Sequence, residues 1–290
     1  MTHFLPNTLE PLDITQFAGV FAKRDPASHK GTFGSAAIVG GASGMVGAAV
    51  LAARSALKSG SGRVYVGLAQ AATDFSLDIL QPEIMWRDVP GLIALGKQIT
   101  AWGVGCGLGN EPDAMHTLKT VFASRQSQPL VIDADALNAL ARGDVSPTWG
   151  EGPVVLTPHP AEAARLLNTD TASVQADRIG TAKQLASLFD AWVVLKGQHS
   201  LVCSEEGVCR VNHTGNVALA TAGSGDVLTG LITSLLAQGF EASVAVPAAV
   251  WLHGKAAESL TQAEGGPIGM TAGELIDHIR ALRNQTSSTV

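Results

Sequence analysis

The chain has 290 residues, a formal net charge of −6 at pH 7, 46% hydrophobic residues and 15% charged residues. This composition excludes general intrinsic disorder, which needs low hydrophobicity and high charge, and it lacks the basic character of nucleic-acid binders. The length suits one large α/β domain, which would bury about three quarters of its unfolded surface.

The predicted elements follow an N-terminal arm of residues 1–15, which contains two prolines. Short apolar runs predict strands at Ser35–Val39, Arg63–Leu68, Thr100–Val104, Leu130–Ile132, Val154–Leu156 and Trp192–Leu195. Helical periodicity predicts helices at Met45–Ser59, 112–125, from near Ala136, Pro160–Leu167, 173–189, Val227–Leu236, 242–263 and 271–283. The pattern in residues 199–204 and 208–211 predicts a hairpin. Residues 69–98 show no clear pattern, and we expect residues 284–290 to form a frayed tail.

Alternating strands and helices predict a three-layer α/β sandwich, with a mostly parallel central sheet and helices on both faces. Because no linker or change of composition interrupts the pattern, we expect a single catalytic domain over residues 16–283. In such sheets ligands bind at the carboxyl ends of the strands, so the residues that directly follow strands are the strongest candidates for function.

An uncharged stretch of 23 residues lies between Lys30 and Arg54, which is long enough to suggest a membrane span. Its six glycines favour a strand, a turn and a buried helix instead, so we expect no membrane partner. The N-terminus does not read as a signal peptide. Three cysteines without a CxxC pair argue against a disulfide framework or a zinc site, and a reducing cytoplasm is the expected location.

Thr221–Asp226, directly before the Val227–Leu236 helix, is the strongest candidate for function. Its small residues leave the backbone N–H groups at the start of the helix uncovered, and these groups together with the helix dipole attract phosphate. Asp226 can act as a base or can simply cap the helix.

Lys196, Gly197, Gln198, His199 and Ser200 follow a continuous apolar strand. Gly197 permits a close approach of the backbone to a ligand, and Lys196 or Ser200 can reach a phosphate. The alternative interpretation is an ordinary turn between a strand and a hairpin.

Two further segments carry polar groups at predicted strand ends. In Thr157–Glu162, Pro160 suits the first position of a helix, and His159 is either functional or a surface or capping histidine. In Asp133–Asn138, the carboxylates of Asp133 and Asp135 could hold Mg²⁺, or Asp135 could cap the following helix.

Other patterns are weaker or missing. The glycine run Gly103–Asn110 makes room for a ligand but is not specific, and we interpret Cys106 within it as a small packing residue. A phosphate-binding P-loop, a dinucleotide-binding glycine motif and a hydrolase nucleophile elbow are not found in the sequence.

Taken together, these segments resemble the ADP-dependent NAD(P)H-hydrate dehydratases of the ribokinase-like superfamily, from about Lys30 to Leu282. The matching segments are Lys30–Gly34, Gly40–Gly41, Gly44–Ala48, Gly105–Gly109, Asp133–Asn138, Leu156–Glu162, Leu195–Gly197 and Gly223–Gly230. The chain departs from the family at Ser224 and Ser200, where threonine is usual, and at Val217–Leu219, where Pro-Gly-Met is common.

The resemblance implies a cytoplasmic repair enzyme that dehydrates the (S) epimer of hydrated NADH or NADPH, with Mg²⁺ as cofactor and ADP converted to AMP and phosphate. It implies that Asp226 is the catalytic base and that Ala37, Gly107 and His159 also face the hydrate. It assigns the nucleotide to Lys196–Ser200 and Gly223–Gly225. It further implies a homotetramer and a separate epimerase for the other epimer.

Two alternatives remain at this point. A small-molecule kinase of the same superfamily would share the glycine–aspartate segment but would use ATP and release a stable phosphate ester. A regulatory nucleotide-binding module would need the phosphate cradle but not Asp226.

Overall fold

The computed structural model describes residues 9–69 and 77–285. Its strands are β1 (Glu10–Pro11), β2 (Ser35–Gly40), β3 (Arg63–Leu68), β4 (Met85–Arg87), β5 (Ala101–Val104), β6 (Leu130–Ile132), β7 (Val154–Leu156), β8 (Trp192–Leu195), β9 (Leu201–Cys203) and β10 (Cys209–Val211). Its α-helices are α1 (Val46–Lys58), α2 (Val89–Ile93), α3 (Pro112–Ser124), α4 (Ala134–Arg142), α5 (Pro160–Leu166), α6 (Thr171–Ala176), α7 (Arg178–Phe189), α8 (Ser224–Ala237), α9 (Ala242–Ala263) and α10 (Ala272–Gln285). Short 3₁₀ helices cover Ile14–Phe21, Gly96–Gln98 and Val217–Leu219.

The strands form one ten-stranded sheet in the order β1-β10-β9-β8-β7-β6-β5-β2-β3-β4. The pairs from β8 through β7, β6, β5, β2 and β3 to β4 are all parallel, whereas β9 is antiparallel to both of its neighbours. The carboxyl ends of the parallel strands therefore meet at one edge of the sheet, as expected from the sequence.

Alternate residues of each strand divide the core into two layers. Ile38 of β2 packs with the face that contains α1, α8, α9 and α10, whereas Val39 packs with the face that contains α2 to α7. Burial on both faces explains why the central strands are apolar throughout. The predicted three-layer α/β fold is confirmed.

The structure differs from the predicted elements in several places. The end of the predicted arm lies within the fold, since β1 pairs with β10 and Asp13 caps the 3₁₀ helix that follows. The predicted helix 173–189 is divided by Asp177, whose carboxylate accepts a hydrogen bond from Gly180 N at 2.8 Å and starts a new helix. Segment 69–98 contains β4, α2 and a 3₁₀ helix. Residues 1–8 of the arm, 70–76, and 286–290 of the predicted tail lie outside the described residues.

The predicted hairpin is formed by β9 and β10, in which Cys203 is directly opposite Cys209. These two cysteines form a disulfide, whereas Cys106 is free and buried. The sequence argued against a disulfide framework and did not anticipate this disulfide, because only the register of the hairpin brings these two thiols together.

The uncharged stretch after Lys30 folds as predicted into β2, a glycine turn and α1. Among the helices of residues 9–69 and 77–285, none has the length and apolar character that crossing a bilayer requires.

Gly230 sits where α8 crosses α1, and an added Cβ there would lie only 2.0 Å from the carbonyl oxygen of Ala52. We expect Gly230→Ala to lower the free energy of unfolding by about 2 kcal/mol, because two packed helices would have to separate. The matched control is Gly273→Ala on α10, where the nearest atom is 4.0 Å away. Urea unfolding curves of both variants measure the effect, and equal stability of the two would contradict this account of the contact.

Candidate active site

The candidate active site lies at the carboxyl edge of the sheet, where the loops after β5 to β8 meet the N-terminus of α8. Asp133 directly follows β6, Thr157 follows β7 and Lys196 follows β8. Gly105 after β5 has φ +114°, and an added Cβ would lie 1.9 Å from the carbonyl oxygen of Asp133, so this close approach requires glycine.

The first turn of α8 forms a cradle of backbone N–H groups, of which Ser224 N is bonded to the carbonyl oxygen of Thr221 at 3.4 Å. Its N-cap residue is Gly223, with φ +89°, which has no side chain to occupy the amides. An added Cβ at Gly223 would lie 2.5 Å from Leu51, so a larger residue would also collide with α1. The first N–H groups of a helix have no partner within the helix, and together with its dipole they form an anion site.

Asp226 lies in this first turn and is half-buried. Because the N-cap residue is Gly223, the alternative that Asp226 is a simple cap was wrong. Burial raises the pKa of Asp226 to about 6; the Cys106 thiol and the Lys196 ammonium oppose this rise, and the Asp133 carboxylate adds to it. A carboxylate with a pKa close to the working pH is suited to accept a proton.

Asp133 and Lys196 form a buried ion pair beneath this turn. Lys196 Nζ lies 2.7 Å from Asp133 Oδ1, and the Thr229 hydroxyl donates to Asp133 Oδ2 at 2.8 Å. Burial alone would lower the pKa of Lys196, but the carboxylates of Asp133 and Glu162 outweigh it and raise the pKa. An added Cβ at Gly225 would lie 3.4 Å from Lys196 Nζ, so the ammonium lies directly against the cradle.

The sequence analysis underestimated Cys106. Its sulfur and the carboxylate oxygens of Asp133 and Asp226 all lie within 4.8 Å of one another. Burial and these two carboxylates raise the pKa of Cys106 well above its ordinary value, so it stays a neutral thiol beside Asp226. The position of a cysteine in a glycine run does not reveal such a contact.

His159 is a capping residue, as its alternative interpretation stated. Its Nδ1 accepts hydrogen bonds from Ala161 N at 3.1 Å and Glu162 N at 3.3 Å, and Glu162 Oε2 accepts from His159 N at 2.7 Å. Burial, then the charges of Lys196 and Arg165, lowers the pKa of His159, so the ring is neutral at pH 7. Its exposed edge still faces solvent beside the site.

The other predicted substrate residues are placed differently. Gly107 has φ +58° in the loop after β5, close to the half-exposed Met45, which leaves it accessible from this edge. Ala37 lies inside β2 and is fully buried in the core. This placement does not support a contact between the Ala37 side chain and a substrate.

The carboxylates predicted to hold Mg²⁺ are already satisfied by protein groups. Both oxygens of Asp133 are bonded to Lys196 and Thr229, and Asp135 Oδ2 accepts from Gly109 N at 2.9 Å. Capping by Asp135 was wrong, because the N-cap residue of α4 is Asp133. Mg²⁺ prefers six oxygen ligands, whereas the Cys106, Asp133 and Asp226 cluster includes a thiol, so these side chains do not fit a preformed Mg²⁺ site.

A cavity of about 590 Å³ opens beside the cradle. All five predicted residues from Lys196 to Ser200 line it, together with Ser224 and Gly225 of α8. Its volume lies in the range of small-molecule and cofactor sites. The first turn of α8 lines the cavity through Ser224 and Gly225, so an anionic group bound in the cavity could reach the cradle.

The opposite wall of the cavity was missed by the sequence analysis. It is the loop 212–216 after β10, which α9 holds through Asn212 Nδ2 to Val250 O at 3.3 Å and Gly215 N to Glu258 Oε1 at 2.9 Å. His213 Nδ1 lies 3.2 Å from His199 Nδ1 across the cavity mouth. A polar loop after a short strand is too common a pattern to have indicated this wall.

The comparisons with known proteins agree with this geometry. A family profile described as NAD(P)H-hydrate dehydratase matches residues 36–281. The chain is 46% identical to the ADP-dependent (S)-NAD(P)H-hydrate dehydratase of Neisseria meningitidis, over 95% of this chain and 93% of that protein.

A bifunctional NAD(P)H-hydrate repair enzyme of Moorella thermoacetica is 37% identical over 90% of the chain, which spans only 52% of that longer protein. Among solved structures, the ADP/ATP-dependent NAD(P)H-hydrate dehydratase of Bacillus subtilis, co-crystallised with ATP/Mg²⁺, has a TM-score of 0.84 and 30% identity. That match covers 97% of this chain and 99% of the other.

Proposed function

The chain belongs to the NAD(P)H-hydrate dehydratase family, with a ribokinase-like fold, and we propose that it dehydrates (S)-NAD(P)H hydrate at the expense of ADP. The observation that carries this proposal is the position of Asp226. Its carboxylate lies in the same helical turn as the phosphate cradle and beside a nucleotide-sized cavity. A base and an anion site in one turn suit the transfer of a phosphoryl group to a hydroxyl.

In the first step, Asp226 accepts the proton of the hydrate hydroxyl. The hydroxyl oxygen forms a bond to the β-phosphorus of ADP, and the bond from that phosphorus to the bridging oxygen breaks, so AMP leaves. The Gly225 amide and the Lys196 ammonium face the charge that spreads over the transferred group. In the second step, the carbon–oxygen bond of the phosphate ester breaks, because phosphate is a far better leaving group than hydroxide. Loss of a ring proton then restores the dihydronicotinamide.

The nucleotide occupies the 590 Å³ cavity, between Lys196–Ser200 and the loop 212–216. The nicotinamide hydrate approaches Asp226 from the side of Gly107 and His159. Among residues 9–69 and 77–285, the side chains near the cradle do not form a preformed Mg²⁺ site, so the ion would arrive with the nucleotide and would offset the charge of its phosphates.

The test is an assay in which prepared NADH hydrate or NADPH hydrate is mixed with the protein, Mg²⁺ and either ADP or ATP. Recovery of the dihydronicotinamide absorbance with ADP, with release of AMP and phosphate, is the expected result. Recovery with ATP alone would retain the reaction and change the phosphoryl donor. No recovery from a folded protein that binds nucleotide would favour the kinase alternative, for which a screen of small alcohols is the next experiment.

Turnover is expected to depend on pH through Asp226. The base must be ionised, and burial raises its pKa to about 6 in the free enzyme, so kcat/KM should be low near pH 5, rise through about pH 6 and reach a plateau near neutrality. The measurement is kcat/KM across this range, on enzyme whose stability at each pH is checked separately. An acid limb centred near the ordinary value for aspartate would contradict the buried environment assigned to this carboxylate.

The remaining features belong to the same proposal. The protein works in the cytoplasm as a homotetramer and depends on a separate epimerase to convert the other hydrate epimer. The bifunctional relatives, which combine repair activities in one longer protein, support the link to an epimerase. Light scattering of the purified protein measures its oligomeric state, and addition of an epimerase to a mixture of epimers measures that dependence.

A further inference from the structure

His253 is a buried histidine that the proposed reaction does not use. It lies on α9, is 7% exposed, and lines the nucleotide cavity. Its Nε2 lies 2.9 Å from the carbonyl oxygen of Ser224. A carbonyl oxygen can only accept, so Nε2 carries the proton and donates the hydrogen bond.

The charge state of His253 keeps this bond in place at working pH. Burial lowers the pKa of His253 to about 4. The bond to the Ser224 carbonyl raises this pKa, and the charge of Lys196 lowers it further. The ring is therefore neutral between about pH 5 and pH 8, and its donor is constant over that range.

The bonded carbonyl belongs to the peptide group that joins Ser224 to Gly225. A trans peptide is planar, and its C=O and N–H point in opposite directions. Holding the Ser224 carbonyl toward α9 therefore turns the Gly225 N–H away from α9. Gly225 lines the cavity and lies against Lys196, so this amide is directed into the phosphate cradle.

The same turn is held from a second side, since the Ser224 hydroxyl donates to the carbonyl of Leu219 at 2.8 Å. That bond fixes the position of Ser224. As the first residue of α8, Ser224 also offers its carbonyl to the helical bond from Leu228 N, and the His253 bond adds a contact from outside the helix that holds the tilt of the following peptide. Helix α9 also holds the opposite wall, with Thr214 Oγ1 bonded to the carbonyl of Trp251 at 3.0 Å. One helix thus sets the distance between the two sides of the cavity.

We propose that His253 is a positioning residue that aims the Gly225 amide at the phosphates of the bound nucleotide. This inference rests on the proposed nucleotide site. It concerns binding of the phosphates rather than of the adenosine part, and this distinction makes it testable.

The experiment compares the binding of ADP and adenosine to the full-length protein by isothermal titration calorimetry. His253→Met removes the donor and keeps an apolar side chain of similar length, so we expect the Kd for ADP to rise about tenfold, the equivalent of one lost hydrogen bond. The Kd for adenosine should stay within about twofold, since no phosphate is present to lose the contact. His253→Gln can still donate to the Ser224 carbonyl and should restore most of the ADP affinity.

His278→Met on α10 is the matched control, because His278 contacts Ser259 outside the cavity. This variant should bind ADP and adenosine with normal affinity. Thermal unfolding shows which variants are folded. If His253→Met does not fold, His253→Asn replaces it, because the shorter asparagine side chain does not reach the Ser224 carbonyl oxygen. Unchanged ADP affinity without the donor, or equal losses for ADP and adenosine, would overturn the inference. A protein that shows the expected pattern with ADP yet fails to repair hydrate would refute the proposed reaction and leave this inference standing.

Discussion

Asp226→Asn is expected to lower the turnover of NAD(P)H hydrate about a thousandfold, with little change in ADP binding or fold. Asparagine has the same shape but cannot accept the hydroxyl proton, and general base catalysis of this kind contributes about 10² to 10⁴ in rate. The carboxylate is half-buried and carries a raised pKa, so replacing it removes a charge that folding has partly desolvated. Stability should therefore stay the same or increase slightly.

The measurement is kcat from recovery of the dihydronicotinamide, with ADP affinity from calorimetry and stability from urea unfolding. Asp135→Asn is the matched control, because Asp135 is on the same edge of the sheet but bonds to Gly109 N rather than to the cradle. Near-normal turnover by a folded Asp226→Asn protein would refute the assignment of the base. Loss of ADP binding would mean that Asp226 acts on the nucleotide instead.

Lys196→Met is expected to lower kcat/KM for ADP about a hundredfold and the free energy of unfolding by about 3 kcal/mol. The first effect follows because a charged donor to phosphate is lost from the cradle, and such bonds contribute about 1.5 to 3 kcal/mol. The second follows because Asp133, whose side chain is 2% exposed, would remain buried without its cation.

The two effects can be separated with the double variant Asp133→Asn/Lys196→Met. Removing both charges should restore most of the stability, since neither partner is left unpaired, but ADP-dependent turnover should stay low. Lys58→Met is the control for loss of a surface lysine, because its partner Asp277 is 61% exposed and the pair contributes little. If the double variant were no more stable than Lys196→Met, the ion pair would not explain the lost stability.

The residues that line the cavity after β8 and at the start of α8 could be found in the sequence because their signals are local. Small residues before a helix, and a lysine–glycine pair after a strand, keep their meaning wherever the chain folds. The structure places Lys196–Ser200, Ser224 and Gly225 around one cavity, which agrees with that prediction. Loop 212–216 and His253 also line the cavity but had no comparable signal in the sequence. A polar loop after a short strand is a common pattern, and a histidine within an apolar helix is more often a packed core residue.

The roles of the acidic residues could not be assigned in the same way. Asp133, Asp135 and Asp226 each lie near the start of a helix. The sequence left Asp133 and Asp135 as possible Mg²⁺ ligands, with capping as the alternative for Asp135, and left Asp226 as either a base or a cap. The structure makes Asp133 the partner of Lys196 and Thr229, and Asp135 the acceptor for Gly109 N. Only Asp226 is left beside the cradle with a pKa near 6.

The sequence by itself determined the layered fold, the edge of the sheet that carries the candidate site, and the segments after β8 and at the start of α8 that line the cavity. These properties follow from periodicity and from backbone freedom at glycine, which act over a few neighbouring residues. The tertiary structure decided which carboxylate lies beside the cradle with a raised pKa, which cation pairs with Asp133, how Cys203 pairs with Cys209, and where Cys106 and His253 lie. These depend on contacts between residues far apart in the chain, and on burial, which sets the charge state of each group only once those contacts exist.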